Sequence, residues 1–304
     1  MPLTSSKLLA SHDLRARHVT CRPAHREMCD VEHQNSDALV FPLAGSFVKH
    51  LGPRTTVLAE PSTVLFFAAG RPYRISHPGP LHDECLVLEF DPGVMRSALV
   101  DITQIDHLGD SRLRTHATLT LPVAAARSIL VWRLRHGVCD ALEATETGLA
   151  LLAATVRAAM QEKSFSRTRL ETQTRRRDQV MAAQSMLLAS SEAPPSLSEL
   201  ATHAETTPFH LARIFRERVG VPVHEYDLRL RLMRALPDLL DTDRGVTEIA
   251  LDHGFSSHSH FTYAFRRRAG LTPNALRRIA KQGTRREVSK IMIALSEVSS
   301  YILK

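Results

Sequence analysis

No stretch of the 304-residue chain approaches the roughly 20 consecutive apolar residues that a bilayer-crossing helix needs. The opening segment, MPLTSSKLLASH, also lacks the long apolar core of a secretion signal. A membrane partner is therefore not expected, and the cytoplasm is the expected compartment. Only four cysteines are present, Cys21, Cys29, Cys85 and Cys139, and none forms a CxxC pair. In a reducing compartment they read as buried thiols rather than disulfides. There is no glycine-rich phosphate loop, no nucleophile elbow and no pair of catalytic acids, so nothing points to an enzyme or to a cofactor.

What is present is an ordinary globular composition, 43% apolar and 23% charged, in a chain long enough for two domains. The net charge of +7 is unevenly placed. Residues 175–286 hold 18 Lys and Arg against 12 Asp and Glu, whereas residues 1–174 hold 19 against 18. A basic excess confined to the C-terminal part suits a nucleic-acid-binding half, although an Arg-rich solvated surface would give the same count.

Residues 15–90 read as β structure, with runs such as ALVFPL (38–43), STVLFFA (62–68) and DECLVLEF (83–90) broken by Gly, Pro and Asn. This is the pattern of a small sandwich or barrel, and AGRPYRISHPGP (69–80) reads as loops flanking one short strand. From Pro122 the period changes to that of helices, over 124–137 and 140–163. Leu142, Leu149, Leu152 and Val156 mark one stripe, either core or the seam of a homodimer. The polar stretch 164–177 reads as a linker, and 178–190 as a helix ended by Pro194 and Pro195. The tail, 282–304, is a possible amphipathic helix without an assigned role.

The strongest internal signal is a repeat at fifty residues. TPFHLARIFRERVGVP (207–222) and SHSHFTYAFRRRAGLT (257–272) align Leu211 with Phe261, Phe215 with Phe265, Arg216 with Arg266 and Gly220 with Gly270. Upstream, LSELATHA (197–204) matches VTEIALDH (246–253). Ser196 with Glu199 makes a capping box, and Gly245 with Glu248 holds the equivalent places less ideally. Each copy is a short helix, a tight turn and a longer helix, the pattern of a helix-turn-helix. Leu211, Ile214 and Phe215, and Phe261, Ala264 and Phe265, are the expected buried stripes. The surfaces left over are rich in groups that grip phosphates and base edges: Thr207, Phe209, His210, Arg213 and Arg216 in copy one, and His258, Ser259, His260, Thr262, Tyr263, Arg266 and Arg267 in copy two.

With these features, residues 178–281 resemble the AraC/XylS family of bacterial transcription regulators. The resemblance includes the run Arg231-Leu232-Met233-Arg234-Ala235 and GFSSHSHFTYAFRRRAGLTP (254–273), which looks like the family signature. It implies recognition helices at about 207–219 and 257–269, joined by a helix of about 222–241. Pro237 departs from this pattern and predicts a kink or break there, since an interior proline costs about 3 kcal/mol. The resemblance further implies an α+β, two-domain protein. A cupin-like β-barrel with helices (1–163) would bind an effector and dimerise, and an all-α domain with two helix-turn-helix motifs (178–281) would follow the linker. Implied partners are double-stranded promoter DNA, RNA polymerase, a small-molecule effector and a second copy of the chain, with activation the commoner mode. Arg213 and Tyr263 hold the base-facing positions that the resemblance suggests, and Arg216 and Arg266 those suited to phosphate.

The alternative is a metal- or redox-sensing regulator. Cys21, His25, Cys29 and His33 recur every four residues, and His77, His82 and Cys85 follow. These are competent soft-metal ligands, but Pro23 and the β-like run before it argue against a shared helical face. No cupin metal motif stands out, and the closely spaced cysteines of a methyl-accepting repair protein are missing.

Overall fold

The computed structural model describes residues 3–23, 28–52, 55–77, 82–161, 170–190, 194–283 and 287. The N-terminal half is two antiparallel sheets. Strands β1 (Leu3–Ala10), β2 (Leu14–Cys21), β4 (Ala38–Gly45), β7 (Thr63–Phe67), β9 (Asp83–Phe90) and β10 (His116–Thr118) form one, in the order β1-β2-β9-β4-β7-β10. Strands β3 (Glu32–His33), β5 (Phe47–His50), β6 (Thr56–Ala59) and β8 (Pro72–Ser76) form the other, in the order β3-β8-β5-β6.

Strand alternation assigns the faces of the larger sheet. On β9, Leu86, Leu88 and Phe90 join Leu14, Ala16, Leu39 and Phe41 beneath the helices, while Cys85 and Val87 face Phe47, Val57 and Ala59 of the smaller sheet. The expected barrel is in fact an open sandwich. Where β6 passes into β7, the backbone is satisfied within the corner itself: Ser62 N donates to the Glu60 carboxylate at 2.7 Å, and Thr63 N to the Glu60 carbonyl at 2.8 Å. These groups are thus spent locally rather than in a ladder joining the sheets. Gly45, with φ +70°, lets β4 close on the start of β9, because a Cβ there would collide with the His82 carbonyl.

Helix α1 (Pro92–Thr103) was not anticipated, although Asp91 caps it through Gly93 N at 2.8 Å and Pro92 opens its first turn. Helices α2 (Leu121–Arg135) and α3 (Ala141–Gln161) match the two expected ones closely. The stripe on α3 is only partly a face. Leu152 and Val156 are fully buried in the molecule's own core, whereas Leu142 is 56% exposed.

The C-terminal half contains α4 (Leu170–Ala189), α5 (Leu197–His203), α6 (Pro208–Val219), α7 (Val223–Asp241), α8 (Val246–Asp252), α9 (His258–Ala269) and α10 (Pro273–Gln282). Residues 170–177, expected in a linker, belong to α4. Glu, Gln and Arg are good helix formers even without an apolar stripe. Pro237 does not break α7, which runs through it as one helix. The expected tail, 282–304, lies outside the described residues apart from Gln282, which ends α10, and Gly283 and Glu287.

Two cores serve this half. Val180, Leu187, Leu200, Leu211, Phe215, Tyr226 and Leu230 enclose the first motif. Leu236, Ile249, Phe261, Phe265 and Leu276 belong instead to the same core as the larger sheet and α2. The bridge is α2, buried from Leu121 to Leu134, which packs on α3 and also on α7, α9 and α10.

Candidate nucleic-acid interface

The repeat carries most of the local chemistry of the two motifs twice, except at the short helices, where Gly245 gives α8 no side-chain cap. Ser196 and Glu199 cap α5 reciprocally, Ser196 N donating to the Glu199 carboxylate at 2.7 Å and Glu199 N to Ser196 Oγ at 3.2 Å. Thr207 Oγ1 accepts from His210 N at 3.3 Å, and Ser257 Oγ from His260 N at 3.1 Å, so α6 and α9 begin at equivalent residues. Both end at glycines in the left-handed region, Gly220 and Gly270. The turns differ. Glu205 takes a positive φ in the first, where Gly254 does so in the second, and the second turn is one residue longer before its cap.

Leu211, Ile214 and Phe215 of α6, and Phe261, Ala264 and Phe265 of α9, are buried at the spacing of one helical face. This turns an opposite stripe to the surface, and the stripe repeats with the same offset. Phe209, Arg213 and Arg216 are exposed on α6, and Ser259, Tyr263 and Arg266 on α9. Phe209 is 82% exposed and Tyr263 64%, which is unusual for aromatic rings. His258, His260 and Arg267 are also exposed, with His210 and Thr262 half-buried; Thr207 is exposed but engaged as a cap. The structure thus brings the twelve sequence-derived residues onto two helix surfaces.

The arginines divide into two classes. Arg268 turns inward and binds Glu225 at 2.7 Å, Arg231 binds Asp227 and the Gly254 carbonyl, and Arg277 binds the Leu239 and Arg244 carbonyls. These hold helices together. Arg216, Arg266 and Arg267 make no ion pair among the described residues, so their charge is available to phosphate. Arg213 lies between the classes, 3.0 Å from Glu217 and 3.4 Å from His210 Nδ1. An exposed pair of this kind contributes about 0.2–1 kcal/mol, less than the roughly 1–3 kcal/mol of a bidentate base contact, so DNA can take Arg213 from Glu217. Slight burial and the Arg213 charge lower the His210 pKa, which favours a neutral ring. Ser256, missed in the sequence, is exposed and lies 3.2 Å from His260 Nδ1. Its adjacency to the capping Ser257 was the available signal.

The thiol and imidazole candidates separate. Cys21, His77 and Cys85 are buried close to Asp83. Cys29 accepts from Ile75 N at 3.0 Å, His82 pairs with Glu84 at 3.2 Å, and His25 lies outside the described residues. Burial pushes the Cys21 thiol up to about 11 and Cys139 up to about 12, opposite to what a reactive thiolate requires.

Residues 200–279 match a family profile described as a helix-turn-helix domain. The chain is 38% identical over 82 residues to the HTH-type transcriptional activator AarP of Providencia stuartii, covering 27% of this chain and 61% of that protein. It is 34% identical over 99 residues to the HTH-type transcriptional regulator ArgR of Pseudomonas aeruginosa, covering 33% of this chain and 30% of that protein. It therefore spans less than two thirds of these relatives. Among solved structures, a transcriptional regulator from Chromobacterium violaceum with an AraC-type DNA-binding domain is 29% identical. That match covers 38% of this chain and all of the other, with a TM-score of 0.34.

Proposed function

We propose that this chain, whose residues 200–279 are an AraC-type helix-turn-helix domain, is a sequence-specific transcription regulator that activates promoters in response to an effector. The observation that carries the DNA-binding part is the duplicated outward stripe, Phe209-Arg213-Arg216 on α6 and Ser259-Tyr263-Arg266 on α9, each set opposite a buried face. That its relatives are an HTH-type transcriptional activator and an HTH-type transcriptional regulator supports the regulatory part.

On this reading, residues 1–163 sense the effector and dimerise, 164–177 connect, and 178–281 bind promoter DNA beside RNA polymerase in the cytoplasm, without catalysis. Each recognition helix enters a major groove, the two grooves lying about 34 Å apart on one DNA face, so that one chain reads two base clusters about 10 base pairs apart. Binding weakens steeply with salt as phosphates release counterions.

A random-site selection with the full chain tests this. Arg213→Ala is expected to relax preference in one cluster only, at about 1–3 kcal/mol, and Arg266→Ala to weaken all sequences alike. The reading fails if the folded chain selects no duplex. The residue roles fail if Arg213→Ala leaves base preference unchanged.

A further inference from the structure

We propose that Cys21, His77, Asp83 and Cys85 form a buried binding site for a divalent transition-metal ion of the zinc type. Antiparallel pairing of β2 with β9 sets Cys21 directly opposite Asp83 and Val19 opposite Cys85. Because side chains alternate along a strand, Cys21, Asp83 and Cys85 share the inner face of the larger sheet. His77, just past the end of β8, reaches them from the smaller sheet. All four residues are at most 6% exposed.

Ligand atoms of Cys21, His77 and Asp83 lie within 4.8 Å of one another; Cys85 Sγ, 3.7 Å from Asp83 Oδ1, stands beside that group and completes the four only by turning toward it. Zinc bonds of about 2.0–2.3 Å space tetrahedral donors by about 3.3–3.8 Å, a gap that rotamer adjustment closes. Two sulfurs, one imidazole nitrogen and one carboxylate oxygen make a donor set of the right hardness and number.

A purely structural role would leave this corner unbalanced. His77 Nε2 meets Asp83 Oδ2 at 2.8 Å, but His77 Nδ1 is buried with no partner among the described residues. If Nε2 carries the proton, Nδ1 presents its lone pair and Asp83 orients the ring as carboxylates do behind metal-bound imidazoles. If Nε2 is the ligand, Asp83 joins it directly. In the first case the ion occupies the Nδ1 that burial otherwise strands, at a cost of about 1–3 kcal/mol for an unsatisfied polar atom. Two thiolates and the carboxylate exceed the ion's charge by one, and the buried Arg127 guanidinium, which binds the carbonyl of Pro42 opposite Cys85, offsets part of that excess while also facing the charge of Glu60.

The test uses reduced, metal-free, full-length protein without DNA, so its outcome is separate from that of the DNA-binding reading. Cobalt(II) titration is expected to produce a thiolate-to-cobalt charge-transfer band that saturates at about one ion per chain and is bleached by zinc. Cys21→Ser should weaken the band by about half or more, the double variant Cys21→Ser with Cys85→Ser should abolish it, His77→Ala should lower the affinity for cobalt, and Cys29→Ser and Cys139→Ser should retain the band in full. The wild-type titration stands even where a variant fails to fold. Absence of the band in folded wild type, a band unchanged in the double variant Cys21→Ser with Cys85→Ser, or formation of a Cys21–Cys85 disulfide with no metal uptake by the reduced protein would each overturn the proposal.

Discussion

Lys49 is 1% exposed, with Nζ donating to the Phe66 carbonyl at 2.9 Å and lying 3.2 Å from the centre of the Phe67 ring. Burial, with the Arg71 charge as a lesser cause, lowers its pKa from 10.5 to about 7. Between those values the unfolded chain binds the extra proton, so stability rises as pH climbs through this window; below it the folded protein carries the full cost of a buried cation. The shift corresponds to at most about 5 kcal/mol. Urea midpoints at pH 6.5 and 9 should therefore diverge more for the wild type than for Lys49→Met, and equal responses would place the charge elsewhere. At this scale the sequence was legible where residues repeat at a local period. Leu211, Ile214 and Phe215 declare their buried face within one helix. The meeting of Cys21, His77 and Cys85 was hidden, because it depends on the register of strands more than sixty residues apart, and Asp83 carries no signature of its own.

Among the elements, α2 makes the strongest demand on its polar residues. Arg133 lies within it, paired with Glu143 of α3 at 2.7 Å and donating to the carbonyls of Gly283 at 3.1 Å and Ala280 at 3.4 Å. One guanidinium thus ties the two halves of the chain at the C-terminal end of α10. Arg133→Ala strands Glu143 and should cost about 3–5 kcal/mol in denaturant unfolding, whereas joint replacement of Arg133 by Met and Glu143 by Leu should recover much of that loss. If the double variant is no more stable than the single, the pair is not what the site depends on. The helices were largely readable from their caps and 3.6-residue period, and α1 could have been, since Asp91 and Pro92 mark its start and Met95 and Leu99 are its buried residues. Closure of the sheets was not readable, because alternation along a strand reports which faces are buried and not which edges meet.

For the whole molecule, the decisive arrangement is that the second motif shares a core with the N-terminal half while the first has its own. The repeat predicts two equal units, but it says nothing of the surface that α2 covers on α7, α9 and α10. A segment of residues 175–281 is expected to bind DNA yet melt below the full chain, by about 4–8 °C for each kcal/mol lost with α2. Calorimetry on both decides this, and equal melting temperatures would mean that α2 adds nothing to the second motif. The same sharing has a consequence for synthesis. Helix α2 leaves the ribosome about 150 residues before α10 is complete, which at about 5–20 residues per second is roughly 8–30 s with an apolar flank facing water. The nascent chain is thus expected to carry that flank uncovered until α10 is complete, and premature termination anywhere between α3 and α10 is expected to yield a product whose N-terminal half is intact in sequence yet adhesive.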